Sequence, residues 1–196
     1  MDTSPKLNDP DLAARIRERD REVLAAVVDT YLDQILRAAR GAGLNPQLAE
    51  EVTQNTFATF IETAGRFEGR SHVRTWLFGI LYRKIQETRR AVAKDRHIDD
   101  IDEVFEDRFD EKNSWSRPPR DAEDELFSAE ARREIDDCLE EVPDRQRMAF
   151  VLREVEELPT KEICKILDVS STNIGVLLFR ARNRLRECLE SKWGQG

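Results

Sequence analysis

The 196-residue sequence is poor in glycine and proline, with eight and seven of them, and its only histidines are His72 and His97. So few turn-forming residues argue against a fold of many short strands. Three cysteines without a CxxC pair, beside two separated histidines, give no recognisable metal-ligand spacing, and no metal or other cofactor is expected. Cys138, Cys164 and Cys188 each fall in a helical pattern where a small apolar side chain would serve. All three are expected as buried or half-buried free thiols. The opening stretch MDTSPKLNDPDLAARIRERD lacks the apolar core of a signal peptide, and no later run approaches the roughly 20 apolar residues that cross a bilayer. The protein is therefore expected in the cytoplasm, without membrane insertion. Also missing are a glycine-rich phosphate loop, a Ser/His/Asp or Cys/His set and a two-carboxylate pocket, so no enzyme is expected.

Charge and helical periodicity are what the sequence has in quantity. Apolar residues recur at three- and four-residue intervals, which predicts an all-α protein, and the pattern suits two small helical cores better than one. The formal net charge is −8, with 40 acidic residues against 32 Lys and Arg. An acidic balance opposes binding to a polyanion, but the charges are unevenly placed. Arg66, Arg70, Arg74, Arg83, Lys84, Arg89, Arg90, Lys94 and Arg96 crowd one region, and Arg180, Arg182, Arg184 and Arg186 crowd the end. Asp99, Asp100, Asp102, Glu103, Glu106, Asp107, Asp110 and Glu111 lie between them. Two basic surfaces joined by an acidic strap are expected.

Along the chain, a first helical block is expected after Asn8-Asp9-Pro10, with Val23, Leu24, Val27, Val28, Tyr31, Ile35 and Leu36 as its apolar stripe to about Gly41-Ala42-Gly43. Asn45-Pro46 restarts a helix that places Leu48, Val52, Thr56, Phe60 and Ala64 on one side. A turn over 67–71 follows, with Ser71 expected to cap a helix whose Trp76, Leu77, Ile80, Leu81 and Ile85 face inward. These helices form one bundle over 1–96. Residues 97–121, with Trp115 and Ser116-Arg117-Pro118-Pro119, show no sustained period and read as a flexible acidic linker. A second helical domain occupies 122–196, starting with Leu126 and Phe127 and interrupted at Val142-Pro143.

The most informative stretch is LPTKEICKILDVSSTNIGVLLFRARNRLRECL. A short helix, Thr160 to Leu167, a turn of about three residues and a second helix from Ser171 make a helix-turn-helix pattern. Ile163, Ile166 and Leu167 are expected to pack against Val169, Ile174, Leu177 and Leu178, with Cys164 small enough for the crossing. Asp168 takes the turn position that needs a left-handed backbone, and Ser170 caps the second helix. Aimed into a major groove, that helix presents Ser171, Thr172, Asn173 and Val176 to base edges, with Arg180 and Arg182 on phosphates. A plain helical hairpin with a solvated basic face would share the same pattern.

Together with DDCLEEVPDRQRMAFVLREVEE before it, this stretch resembles region four of extracytoplasmic-function sigma factors, a group of the sigma-70 family. LAEEVTQNTFATFIE and FEGRSHVRTWLFGILYRKIQETRR resemble region two. The resemblance implies an RNA polymerase sigma factor that binds core polymerase, recognises minus-35 and minus-10 promoter elements and promotes melting at initiation. It implies that Glu51, Gln54 and Asn55 meet the clamp helices of the largest polymerase subunit. It places minus-10 binding on Phe67, Gly69, Arg70, Ser71, Arg74, Arg83, Lys84 and Arg90, where splayed bases are held while cations grip the backbone. Minus-35 binding falls to Ser171, Thr172, Asn173, Val176, Arg180 and Arg182. An anti-sigma factor is the further partner implied. Asn55 stands where the family often has a carboxylate, Arg83 for a frequent asparagine, Glu87 for an aspartate, and Pro159 for a capping Ser or Thr. The linker is either a phosphate mimic in the polymerase channel or a merely solvated strap. Two rival readings compete: a stand-alone helix-turn-helix transcriptional regulator, which would bind paired half-sites by itself, and a polymerase-binding adaptor or anti-sigma protein, which would not bind DNA.

Overall fold

The computed structural model describes residues 11–95 and 129–193, and every regular element among them is helical. The expected linker over 97–121, the start at Asn8-Asp9-Pro10 and the helical residues Leu126 and Phe127 lie outside the described residues. Helix α1 (Leu12–Arg17) is short and separate from α2 (Arg21–Gly41). The sequence pattern had joined them in one block. Arg19 adopts a left-handed backbone, φ 57°, and breaks the helix. Asp20 then caps α2, its carboxylate accepting from the backbone N–H of Glu22 at 3.0 Å and of Val23 at 3.3 Å.

Helix α3 (Pro46–Thr63) begins as the sequence predicts, with Asn45 Oδ1 accepting from Leu48 N at 2.9 Å and Pro46 in the first turn. Thr53 and Thr56 are buried, and their hydroxyls donate to the carbonyls of Ala49 and Val52, both at 2.7 Å. Those bonds satisfy polar groups that burial would otherwise penalise. After a 3₁₀ turn, Ala64–Arg66, the chain crosses to α4 (Val73–Asp95). The expected cap at Ser71 is one residue early. His72 holds that place, its Nδ1 accepting from Arg74 N at 3.2 Å and its carbonyl from Trp76 N at 3.2 Å.

The second half comprises α5 (Ala129–Glu140), α6 (Asp144–Phe150), a wide π turn (Val151–Val155), α7 (Thr160–Leu167) and α8 (Ser171–Trp193). Asp168 is left-handed, φ 54°, and lets Val169 N reach the Cys164 carbonyl at 3.1 Å. Ser170 Oγ accepts from Asn173 N at 3.2 Å. Both local expectations for the helix-turn-helix hold in this geometry.

The expectation of two small cores meets a different arrangement. One continuous apolar cluster runs from Leu12 through Phe60, Phe78 and Leu81 to Met148, Leu152, Ile163 and Leu178. Helix α4 is sandwiched, with α2 and α3 on one side and α7 on another. This explains Phe78, fully buried although it lies off the predicted inward stripe. A smaller, separate cluster holds Cys138, Leu139, Val142, Ala181 and Leu185 between α5 and α8. The expectation of free thiols is corrected there: Cys138 and Cys188 form a disulfide, with Cα atoms 5.7 Å apart, and only Cys164 stays free. The packing of α5 on α8 brings the two together, and no sequence spacing announces it.

A polar seam joins the halves around the apolar cluster. The Glu156 carboxylate, 1% exposed, accepts from Arg37 Nε of α2 at 3.1 Å and lies 3.4 Å from an Arg74 guanidinium nitrogen of α4. Arg74 also donates to the Glu156 carbonyl at 2.5 Å. Thr75 Oγ1 donates to Glu162 at 2.6 Å. Farther along, Arg89 reaches both the Ala42 carbonyl and Asp144. Gly43, at φ +80°, lies so close to the Arg147 guanidinium that a Cβ would overlap it. Burial, and next the charge of Arg89, hold the Arg147 guanidinium below its ordinary value, against the opposing pull of Asp144 and Glu140.

Candidate nucleic-acid and polymerase interface

Three surfaces carry the residues singled out from the sequence. The first is the tip of α8. Ile174 and Leu178 are locked into the core, and this phase turns Ser171, Thr172, Asn173 and Val176 to solvent. Val176 is 43% exposed, an apolar group on a polar face that suits contact with a thymine methyl. Gly175 lies on the same exposed face, and nothing stands within 4 Å of where its Cβ would be. Arg180 follows one turn behind Val176 and is exposed. Arg182 turns aside to Glu154 at 2.5 Å, and Arg186 binds Glu190 at 2.6 Å. The arginine run therefore spreads around the helix. Lys161 and Lys165, exposed one turn apart on α7, are cations that the sequence reading passed over.

The second surface is a stripe on α3. Glu51, Gln54 and Asn55 are all exposed and share one face. That face continues through exposed Ala58 to Ile61, which is 43% exposed. The sequence reading did not single out Ile61, although its spacing from Asn55 and Ala58 places it on the stripe.

The third surface is the loop over 67–71 with α4, and here the structure divides the predicted set. Phe67 is buried and stacks on Trp76, ring centroids 4.9 Å apart, while Phe60 meets the same indole edge-on at 5.5 Å. This trio belongs to the core, and Phe67 does not offer its ring to solvent. Gly69 stands at the loop tip with φ +70°, a conformation that favours glycine. Arg70 there pairs with Glu68 at 2.5 Å, both well exposed. Ser71 is half-buried. Arg83 and Arg90 are exposed on one face of α4, bonded to their own helix at the Gly79 and Gln86 carbonyls. Lys84 is half-buried and pairs with Glu87 at 3.0 Å.

Arg74 is separated from the others. Nine residues at about 100° each put it half a turn from Arg83. It faces Glu156 across the seam and lies over the Phe78 ring, 5.6 Å from the centroid. Tyr31 is close by: burial pushes its phenol above the ordinary value, and the Arg74 charge pulls the other way.

Among the described residues no group of three or more His, Cys, Asp or Glu could hold a metal, and no helix is long and apolar enough to cross a membrane. The family model for sigma-70 region 2 matches residues 27–94, and that for sigma-70 region 4 matches residues 132–185. A probable RNA polymerase sigma factor of Haemophilus influenzae is 30% identical over 155 residues, 74% of this chain and 78% of the relative. The extracytoplasmic-function RNA polymerase sigma-E factor of Escherichia coli K12 is 24% identical over 93% of this chain and 94% of its own. Among solved structures, CnrH in complex with the cytosolic domain of CnrY matches with a TM-score of 0.66 at 20% identity, over 92% of this chain and 96% of that one. The sigma factor RpoE of Bartonella quintana, in complex with the anti-sigma factor NepR, matches with a TM-score of 0.64 at 20% identity, over 83% and 94%. These two likenesses concern the fold alone. Two sigma models in the right order, on a helical chain that leaves the tip of α8 open, lead to one conclusion: this protein belongs to the extracytoplasmic-function group of sigma-70 family RNA polymerase sigma factors.

Proposed function

We propose that this chain carries core RNA polymerase to promoters by dividing the work between its halves. The α3 stripe of Glu51, Gln54 and Asn55, extended by Ile61, docks on the clamp helices of the largest subunit. Arg70, Arg83 and Arg90 hold the backbone of melted minus-10 DNA around the loop over 67–71. Ser171, Thr172, Asn173 and Val176 read the minus-35 duplex, and Arg180 steadies it through phosphate. The observation that carries this reading is the exposed polar tip of α8, capped by Ser170 and free of the seam, in a chain that also has a region 2 bundle. Base edges need donors and acceptors that are not already spent within the protein.

The division has a mechanical requirement. Arg74 is held by Glu156 on the side of α4 opposite Arg83, so it reaches DNA only when the seam opens, and then on that other side. No bond is made or broken by this chain, and the chemistry is left to the polymerase. It acts where chromosome and polymerase are, in the cytoplasm. An anti-sigma protein is the regulatory partner; the similarly folded Bartonella quintana RpoE was solved with one.

Run-off transcription with core polymerase on promoters from the host genome tests the proposal. Promoter-dependent transcripts should appear only when the protein is added, and binding to core should need Ile61 and Gln54. No core binding and no transcript across a fair promoter set would remove it. Operator binding by the isolated protein at paired half-sites would favour a stand-alone regulator instead.

A further inference from the structure

The disulfide between Cys138 of α5 and Cys188 of α8 joins residues 50 apart in sequence. It is built into the small cluster with Leu139, Val142, Ala181 and Leu185, apart from the continuous core. Helix α5 packs chiefly on α8. Its polar ties are the Glu140 carbonyl, which accepts from Arg147 at 3.1 Å, and two exposed ones, Lys192 to Asp137 at 3.1 Å and the Trp193 indole to Glu134. Exposed pairs of this kind contribute little. The hold on α5 therefore rests chiefly on this small cluster, with the partly buried Ile135, Phe150 and Leu189 against it, and on one covalent bond.

A sigma factor shares its compartment with thiol reductants, and a disulfide found there is usually transient or redox-sensing rather than structural. This step depends on the function proposed above. We propose that Cys138 and Cys188 form a reversible thiol–disulfide exchange site, through which low-molecular-weight thiols set whether α5 is fastened to α8. Cys138 is fully buried and Cys188 half-buried, so attack enters at Cys188. A thiolate RS⁻ bonds to Cys188 Sγ, the protein disulfide breaks, and Cys138 leaves as a thiolate that takes up a proton. A second thiolate then attacks the outer sulfur of the mixed disulfide, releasing RSSR and the Cys188 thiolate, which is protonated in turn. One protein disulfide and two RSH become two protein thiols and RSSR, with two electrons passing to the protein. An oxidised thiol, RSSR, drives the reverse.

The consequence is confined to part of the domain. Ile174 and Leu178 fix the front of α8 in the large core, whereas Ala181 and Leu185 belong to the small cluster. Reduction loosens α5 and the rear of α8 and leaves the reading tip in place. Because α5 begins this half of the described chain, the site governs how firmly the domain is entered, not which bases it reads.

The test uses the full chain carrying Cys164→Ser, so that only the pair is counted. The protein is equilibrated in glutathione buffers of stepped reduced-to-oxidised ratio, quenched in acid and labelled with maleimide. Both thiols should vanish together as the buffer becomes oxidising, in one two-electron step. Hydrogen exchange over 134–140 and 181–190 should quicken at least tenfold on reduction, with 160–178 unchanged. Adding Cys138→Ser or Cys188→Ser should reproduce the fast exchange in every buffer. Two thiols that label even in the most oxidising buffer, a disulfide that survives the most reducing one, or opening without change at α5 would each overturn the proposal. Run-off transcription in the end-point buffers separates the two readings: titrating thiols without any promoter-dependent transcript would leave the exchange site standing and remove the sigma function.

Discussion

The tip of α8 and the Arg74 face of α4 both carry side chains proposed to meet DNA, yet the fold treats them oppositely. At the tip, Ser171, Thr172 and Asn173 stand in solvent, supported only by the Ser170 cap and the buried Ile174 and Leu178 beneath. On α4, Arg74 is half-buried against Glu156 and Phe78, and its Nε has no hydrogen-bond partner. One surface is open to solvent as it stands. The other becomes available only by giving up a charge-assisted contact between the halves. The residues proposed to read the duplex and the arginine proposed for melted DNA thus differ in whether the protein's own contacts leave them open.

The largest expected effect comes from breaking the closed side of this contrast. Glu156→Ala removes the acceptor shared by Arg37 and Arg74 and leaves Arg74 poorly solvated. Loss of one partner from a fully buried pair costs about 3–5 kcal/mol, and because Arg37 is 54% exposed the expected cost here is about 2–3 kcal/mol. Small-angle scattering of the full chain should show the halves apart, with the minus-35 preference unaltered. A variant as compact as the parent would mean that the apolar cluster alone holds them.

A second prediction sharpens the open side. Asn173→Ala should weaken discrimination of the minus-35 element by about 1–3 kcal/mol, the scale of one lost base contact. Competition between matched and scrambled minus-35 duplexes measures it, and an equal loss on both would refute base reading by Asn173.

The smallest effect lies away from both surfaces, at the α1–α2 junction. The hydrogen bond from Arg15 holds the Asp20 carboxyl below its ordinary value, with further help from the Val23 and Glu22 amides and against partial burial. A depressed folded value means that the contribution to stability is complete above the unfolded value of 3.8 and is lost as pH falls through the folded one. Acid titration of Asp20→Asn against the parent should therefore show the difference between them shrinking below pH 4. A difference that persists into strong acid would assign the effect to the cap geometry rather than to charge.

Legibility followed the distance between partners. Asn45-Pro46, Asp168 and Ser170 act on backbone groups within a few residues, and each does what its chemistry predicts. The stripe on α3 and the outward tip of α8 follow from helical phase. The Arg19–Asp20 break and the His72 cap were missed because several neighbouring residues could have served, and the choice depended on how the next helix packed. Phe78 was overlooked because one stripe per helix was counted, and α4 is covered on two sides.

Composition, periodicity and two motifs in order determined the all-helical class, the helix-turn-helix and the residues at its tip, because those depend on interactions along a single helix or turn. Tertiary structure alone decided that Phe67 sits under Trp76, that Arg74 is spent on Glu156 while Arg83 remains outside, and that Cys138 finds Cys188. Each of these brings together side chains from different elements, and which of their faces meet is a property of the packed whole that no local spacing encodes.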